Sequence, residues 1–205
     1  MSIQGRLMLN KKPVVKQKEI RAYYTDNFIR VYQAYNNSIA DAAVANQKFI
    51  TPPFKLERTT WIKPSFFWMM YRCGWGYKEN QERILAIDIT HDGFLWALQN
   101  SCLSHYDSNI YQNREDWKRK KNISPVVIQW DPERDLFLNQ LDYRSIQIGL
   151  TPPAAKLYVN EWIIKITDIT TQSQKIKILT DEKKLAEAFK LLPIEKDYSV
   201  STILE

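Results

Sequence analysis

A pattern of apolar and polar positions begins at Glu19, and residues 1–18 before it are basic and weakly patterned, an N-terminal arm. EIRAYYT carries β-prone aromatics at Tyr23 and Tyr24, and FIRVYQAY alternates Ile29, Val31 and Gln33 against Arg30, Tyr32 and Ala34. Thr25-Asp26-Asn27 between them is turn-like, which predicts a hairpin or two successive strands. NNSIADAAVANQKF reads as a helix with Ser38 as N-cap and Ile39, Ala42, Ala43 and Val44 as its apolar face. Pro52-Pro53 ends that element, and LERTTWI predicts a strand stopping at Lys63-Pro64. Pro64 opens the helix PSFFWMMYRCGW, which Gly74 closes.

RILAIDIT, residues 83–90, is nearly continuous apolar chain, as a strand buried on both faces requires. Asp92 is placed to cap the next helix, on which Phe94, Leu98 and Cys102 recur at helical spacing. Residues 104–124 are polar and read as a long surface connection. PVVIQW, RDLFLNQ and YRSIQIGL predict strands, Pro152-Pro153 starts a helix through Trp162, and IIKITDIT predicts another strand. DEKKLAEAFKLL is amphipathic, with Leu185, Phe189 and Leu192 expected inward. The expectation is one α+β domain over residues 19–205, with a mixed or antiparallel curved sheet of about seven strands and roughly four or five helices.

Composition narrows the chemistry. The 205 residues hold five glycines, too few and too scattered for a P-loop or a G-x-G-x-x-G dinucleotide turn. Any phosphate must therefore be held by side chains. Two cysteines make no disulfide framework, and the first residues hold no apolar leader, so the expected compartment is the cytoplasm. No stretch approaches the ~18 apolar residues of a membrane span. The net charge of +6 is uneven: basic against acidic residues stand at 7 to 2 in residues 1–30 and 5 to 2 in residues 114–121.

Several stretches, WIKPSFFWMMYR and QWDPERDL above all, together with QERILAIDIT, YRSIQIGL and NEWIIKITDIT, resemble the family called domain of unknown function 4291. The resemblance runs from about residue 19 to 193 and implies a compact single domain without implying an activity. Thr59 departs from the resemblance, which implies methionine at what would be a core-like position.

Candidate chemistry is of five kinds. Cys102-x-x-His105 has ligand spacing, but the chain holds only two cysteines and two histidines, and no metal is assigned. The same pair as nucleophile and base lacks an orienting group. Asp131, Glu133 and Asp135 form an acidic run, for which a salt-bridged turn around Pro132 and Arg134 is the simpler reading. Polar residues on core-like elements form the fourth group: Arg21, Tyr23, Gln33, Tyr35, Lys63, Ser65, Arg72, Arg144 and Gln147, with Trp61 beside them. Such groups must be satisfied, so they often converge in a cleft, where arginine and lysine suit phosphates and aromatic rings suit bases. The fifth is nucleic-acid binding through Lys118, Arg119, Lys120, Lys121 and the arm.

The expected function is a small enzyme acting on a nucleotide-like or phosphorylated ligand. Its sharpest form is an ADP-ribosyltransferase-like domain, by analogy with enzymes that bind NAD without a glycine turn. Arg21 then takes the first-strand position, Thr60 or Ser65 the strand–helix junction, and Gln147 or Glu161 orients the reacting ribose. Arg21 and Arg144 hold anionic groups, and Trp61 and Tyr35 stack. The alternative is a non-catalytic module binding nucleic acid or protein.

Overall fold

Strands β1 (Arg21–Ala22) and β2 (Ile29–Tyr35) lead to helix α1 (Asn37–Asn46), β3 (Thr60–Ile62), α2 (Phe66–Cys73) and a 3-10 turn at Gly74–Gly76. Next come β4 (Arg83–Ile89), α3 (His91–Gln99), β5 (Ser101–Leu103), α4 (Arg114–Ile123), β6 (Val126–Arg134) and β7 (Gln140–Leu150). The chain closes with α5 (Pro152–Leu157), a π-helical turn at Tyr158–Trp162, β8 (Ile163–Asp168), α6 (Thr170–Asp181), α7 (Leu185–Leu191) and β9 (Lys196–Asp197). These elements come from a computed structural model that describes residues 18–199. Apart from Lys18, the basic arm lies outside the described residues.

The strands form an antiparallel sheet β2-β4-β8, a mixed sheet β3-β7-β6-β5 in which β5 runs parallel to β6, and a short pair β1-β9. One antiparallel bridge, Tyr32 to Lys63, fastens the edges of the two larger sheets through Tyr32 N–H to Lys63 O at 2.7 Å and the reverse bond at 3.3 Å. This is a single α+β domain with open sheets.

The two sheets are covered differently. Ile29, Val31, Leu85 and Ile87 face the main core with α1, α3 and α5, while Tyr32, Ile84 and Ala86 face a second core with α2, α6 and α7. That double cover explains the continuous apolar run of β4. The four-stranded sheet turns one apolar face to the main core, through Ile62, Ile128, Ile146 and Ile148. Its other face carries the alternate residues: Trp61 opposite Gly149, Gln129 opposite Gln147, Asp131 opposite Ser145. Gly149 is required there, because a Cβ would stand 2.7 Å from Val127 Cγ2 and 2.9 Å from the Trp61 ring.

The described residues hold seven α-helices, more than the roughly four or five expected. Residues 104–124 contain α4, capped by Asn113 and with Glu115 and Asp116 in its first turn. Its one buried side chain is Asp116, so it has no apolar stripe to betray it. TQSQKIKILT forms α6, separate from α7. On α7 it is Ala188 that is buried, and Phe189 is exposed. Asn36 and Thr90, rather than Ser38 and Asp92, cap α1 and α3. Cys102 leaves the helix for β5, since pairing with Val127 outweighs local spacing. RDLFLNQ is largely the β6–β7 turn, where Asp135 accepts from the amides of Phe137 and Asn139, both at 2.8 Å. The turn at Thr25-Asp26-Asn27 closes a short hairpin through the antiparallel bridge Tyr24–Ile29, while β1 itself pairs with β9.

Candidate functional site

Beyond the Tyr32–Lys63 bridge, β2 and β3 separate, and the gap is closed by a side chain. Gln33 donates to Thr60 Oγ1 at 2.8 Å and to the Trp61 carbonyl at 3.1 Å. Its carbonyl oxygen accepts from Tyr158 Oη at 2.8 Å, and Tyr35 Oη lies 3.0 Å from Thr60 Oγ1. An amide side chain here replaces the next rungs of the ladder. Burial pushes the Tyr35 phenol up to about 12 and the Tyr158 phenol well above its usual value, so both stay protonated as neutral partners.

Over this seam opens a cleft of about 820 Å3, within the ~300–1,000 Å3 typical of small-molecule sites. Its charged lining residues are Lys55, Arg58, Lys63 and Arg72, with no carboxylate among them. Lys55, Arg58 and Arg72 are exposed and form the rim. Lys63 is 5% exposed and forms the floor. Its ammonium lies 5.5 Å from the Trp68 ring centroid, and among the described residues no hydrogen bond or ion pair holds it. Burial, with help from Arg72, pushes Lys63 down to about 8, against the opposing influence of Asp131 and Cys73. Asp131 is occupied by its neighbours: Gln129 donates to one oxygen at 2.8 Å and Gln147 to the other at 2.6 Å. Asn36, Asn80 and Gln81 add further amides to the lining, and Trp61 adds an aromatic face.

Seven of the residues singled out in the sequence meet in this cleft: Gln33, Tyr35, Thr60, Trp61, Lys63, Arg72 and Gln147. The other five lie elsewhere. Ser65 caps α2 by accepting from Trp68 N at 3.1 Å and donates to the buried Glu133 at 2.9 Å. Arg21 borders a second hollow of about 460 Å3 with Glu133 and Glu195. Burial raises both carboxyls, Glu195 to about 8, although the amide of Phe66 at 2.7 Å and Arg21 oppose this at Glu195. Tyr23 lies under the Arg30 guanidinium, 4.8 Å from ring centroid to Cζ, and Arg30 forks onto Asp88 at 2.6 and 2.9 Å. Arg144 donates to the Trp130 carbonyl at 2.8 Å and borders a third hollow beside His105. Glu161 is exposed on the π-helical turn.

The remaining candidates are held internally. Cys102 lies 3.2 Å from Tyr111 Oη, whereas the His105 ring bonds Ser104, so Cys102 and His105 serve different partners. Of the acidic run, Asp131 and Glu133 lie on strand β6 and Asp135 on the turn after it, and Arg134 stacks at 3.8 Å on Tyr71 instead of pairing with a carboxylate. Arg119 and Lys120 face Asp116, and Lys121 donates to Ser104 O while lying over Trp117. Thr59 is exposed on the cleft lining, not in the core. Lys55, Arg58, Asn36, Asn80 and Gln81 escaped the sequence because they sit on loops and turns or at a helix cap. Gln129 was legible, since it interrupts PVVIQW as Gln147 interrupts YRSIQIGL.

An α+β domain whose two sheets meet at one bridge, with a cation-lined cleft over the join, is the class that fold and site define. The chain belongs to the family described as Domain of unknown function (DUF4291), which it matches over residues 19–198. No curated protein shows significant similarity to it. Among the described residues, no helix is long and apolar enough to cross a membrane.

Proposed function

We propose that the cleft over the β2–β3 seam binds a nucleotide-like or phosphorylated small molecule, on which the protein acts as a small cytoplasmic enzyme. The observation that carries this reading is the charge of the lining, four cations without a carboxylate among the described residues, one of them buried and held by no ion pair there. An ammonium removed from water without a partner is costly, by several kcal/mol, and an incoming anion offsets that cost. Arg58 and Arg72 supply forked donors that match phosphate oxygens, Lys55 adds a point charge, and Trp61 offers a face to a base. The amides of Asn36, Gln81 and Gln129 suit ribose hydroxyls or base edges. The cysteines, free and buried, fit a reducing compartment.

The test is a thermal-shift titration with inorganic pyrophosphate, mono- to triphosphate nucleotides and NAD. A ligand present at ~100 times its dissociation constant stabilises by about 2.7 kcal/mol. Arg58→Gln and Arg72→Gln should each weaken binding by roughly tenfold or more, as expected for charge-assisted hydrogen bonds. Absence of any shift with every phosphorylated compound would sink the proposal. The ADP-ribosyltransferase form needs Arg21, Thr60 or Ser65, and Gln147 or Glu161 around one ligand. Thr60 and Gln147 line this cleft but Arg21 borders another hollow, so the proposal is built on the cleft alone. No specific observation favours nucleic acid, because most of the basic run on α4 is engaged within its own neighbourhood.

A further inference from the structure

The four cations of the cleft stand at two depths, and the difference assigns them different work. Lys55, Arg58 and Arg72 sit at the exposed rim, where a phosphate remains partly hydrated. Lys63 sits at the floor, 5% exposed, with Trp68 against it and Met69 also lining the cleft. No acceptor bonds its nitrogen among the described residues, and the nearby Asp131 has both oxygens taken by Gln129 and Gln147. The same burial that favours an incoming anion also favours the neutral amine, whose lone pair is then free to attack a carbonyl.

We propose that Lys63 is a nucleophile that forms an imine with a phosphorylated aldehyde or ketone, the rim cations holding the phosphate while the carbonyl reaches the floor. The proposal rests on the phosphate-binding reading of the same cleft and names its substrate class. In the step, the neutral Lys63 amine adds its lone pair to the carbonyl carbon. The C=O pair moves to oxygen, which takes the proton that the nitrogen then sheds, giving a carbinolamine. The nitrogen lone pair expels the hydroxyl, which takes up the proton released when the Lys63 ammonium became the amine, so that it leaves as water and a protonated imine remains. From ammonium and carbonyl to iminium and water, charge and atoms balance, and no oxidant or reductant enters.

The charged and titratable groups facing Lys63 are Arg72 and Cys73 from α2 and Asp131 from β6. With the amine near 8, burial being the main cause, about a tenth of it is neutral at pH 7, against roughly a few parts in ten thousand for an ordinary lysine. The reactive form thus grows as pH rises through about 8.

The experiment uses the full chain with glyceraldehyde 3-phosphate and, in parallel, glyceraldehyde lacking the phosphate, each trapped with borohydride and mapped by peptide mass spectrometry. The expected result is a reduced adduct at Lys63 ahead of the exposed Lys55 and Lys118, with a labelling midpoint near pH 8. Arg58→Gln should slow labelling by the phosphorylated aldehyde several-fold more than labelling by the unphosphorylated one. Adducts spread over exposed lysines without enrichment at Lys63, or equal rates for the two aldehydes, would overturn the proposal. Lys63→Arg removes the nucleophile and should lose the adduct, and the thermal shift with pyrophosphate is read in parallel on the wild type. If wild type shows that shift but no Lys63 adduct, the nucleophile is refuted and the binding reading stands. If wild type shows neither, both fall.

Discussion

Two buried sites of opposite charge flank the start of α2, separated along the chain by a single proline. On one side Lys63 closes the floor of the cationic cleft, and on the other Ser65 reaches Glu133 beside Glu195. Burial acts on both with the same physics and opposite sign, lowering the lysine to about 8 and raising Glu195 to about 8. They differ in how they are satisfied. Glu133 accepts from Ser65 and from the amide of Arg134 at 2.8 Å, and Glu195 accepts from the first amide of α2. Among the described residues Lys63 has an aromatic face and distant charges but no hydrogen bond or ion pair. The carboxylates belong to the architecture of a helix start, whereas the lysine is the group on which the proposed binding reading depends. Burial alone does not mark a functional charge; burial without a partner does.

The strongest way to break this contrast is to wedge the cleft open. Gly149→Val puts carbon atoms into the Trp61 ring and Val127, and a loss of about 2–3 kcal/mol is expected from urea unfolding. It should also abolish the pyrophosphate shift while sparing the acidic side. Ser65→Ala is the converse. Losing the cap of α2 together with a partner of buried Glu133 should cost about 1–2 kcal/mol in the same assay. Ligand binding in the cleft should then survive.

A pH series sharpens the comparison further. Between the usual glutamate range and about 8, folded Glu195 holds more proton than the unfolded chain, so its contribution to stability falls as pH rises through that window. Between about 8 and the usual lysine range, folded Lys63 holds less proton than the unfolded chain, so its contribution recovers as pH rises. The two unfavourable contributions overlap near pH 8. Glu195→Gln should flatten the acid limb of the urea midpoint against pH, and Lys63→Met the alkaline limb. A Lys63→Met variant whose alkaline limb matches wild type would show that the lysine is not desolvated. The smallest effect belongs to the rim: Arg58→Gln should change stability by no more than about 0.5 kcal/mol, whatever it does to ligand affinity.

The cleft was partly legible before the fold because its strand residues break an apolar rhythm. Gln33, Lys63 and Gln147 stand where a core strand would carry valine or isoleucine, and the alternation of β3 and β7 places Trp61 and Gln147 on the same face of their sheet. Arg21 and Ser65 broke the rhythm equally, yet they face the acidic hollow. Which side of a seam a residue takes depends on β9 pairing with β1 and on β6 reaching α2, contacts made over most of the chain length. Helix α4 was hidden for another reason: its capping Asn113 and graded charges were present, but periodicity fails on a helix that buries almost nothing apolar.

Lys63 serves the molecule twice. Its main chain makes the rung that joins the sheets, and its side chain arms the cleft. Because strand side chains alternate, a slip of β3 by one residue along β2 would turn Lys63 toward the apolar core and bring Ile62 onto the cleft floor. Joining the sheets in register and setting the charge of the cleft are therefore one folding event. A chain that had paired its two sheets incorrectly would also be a chain without its site.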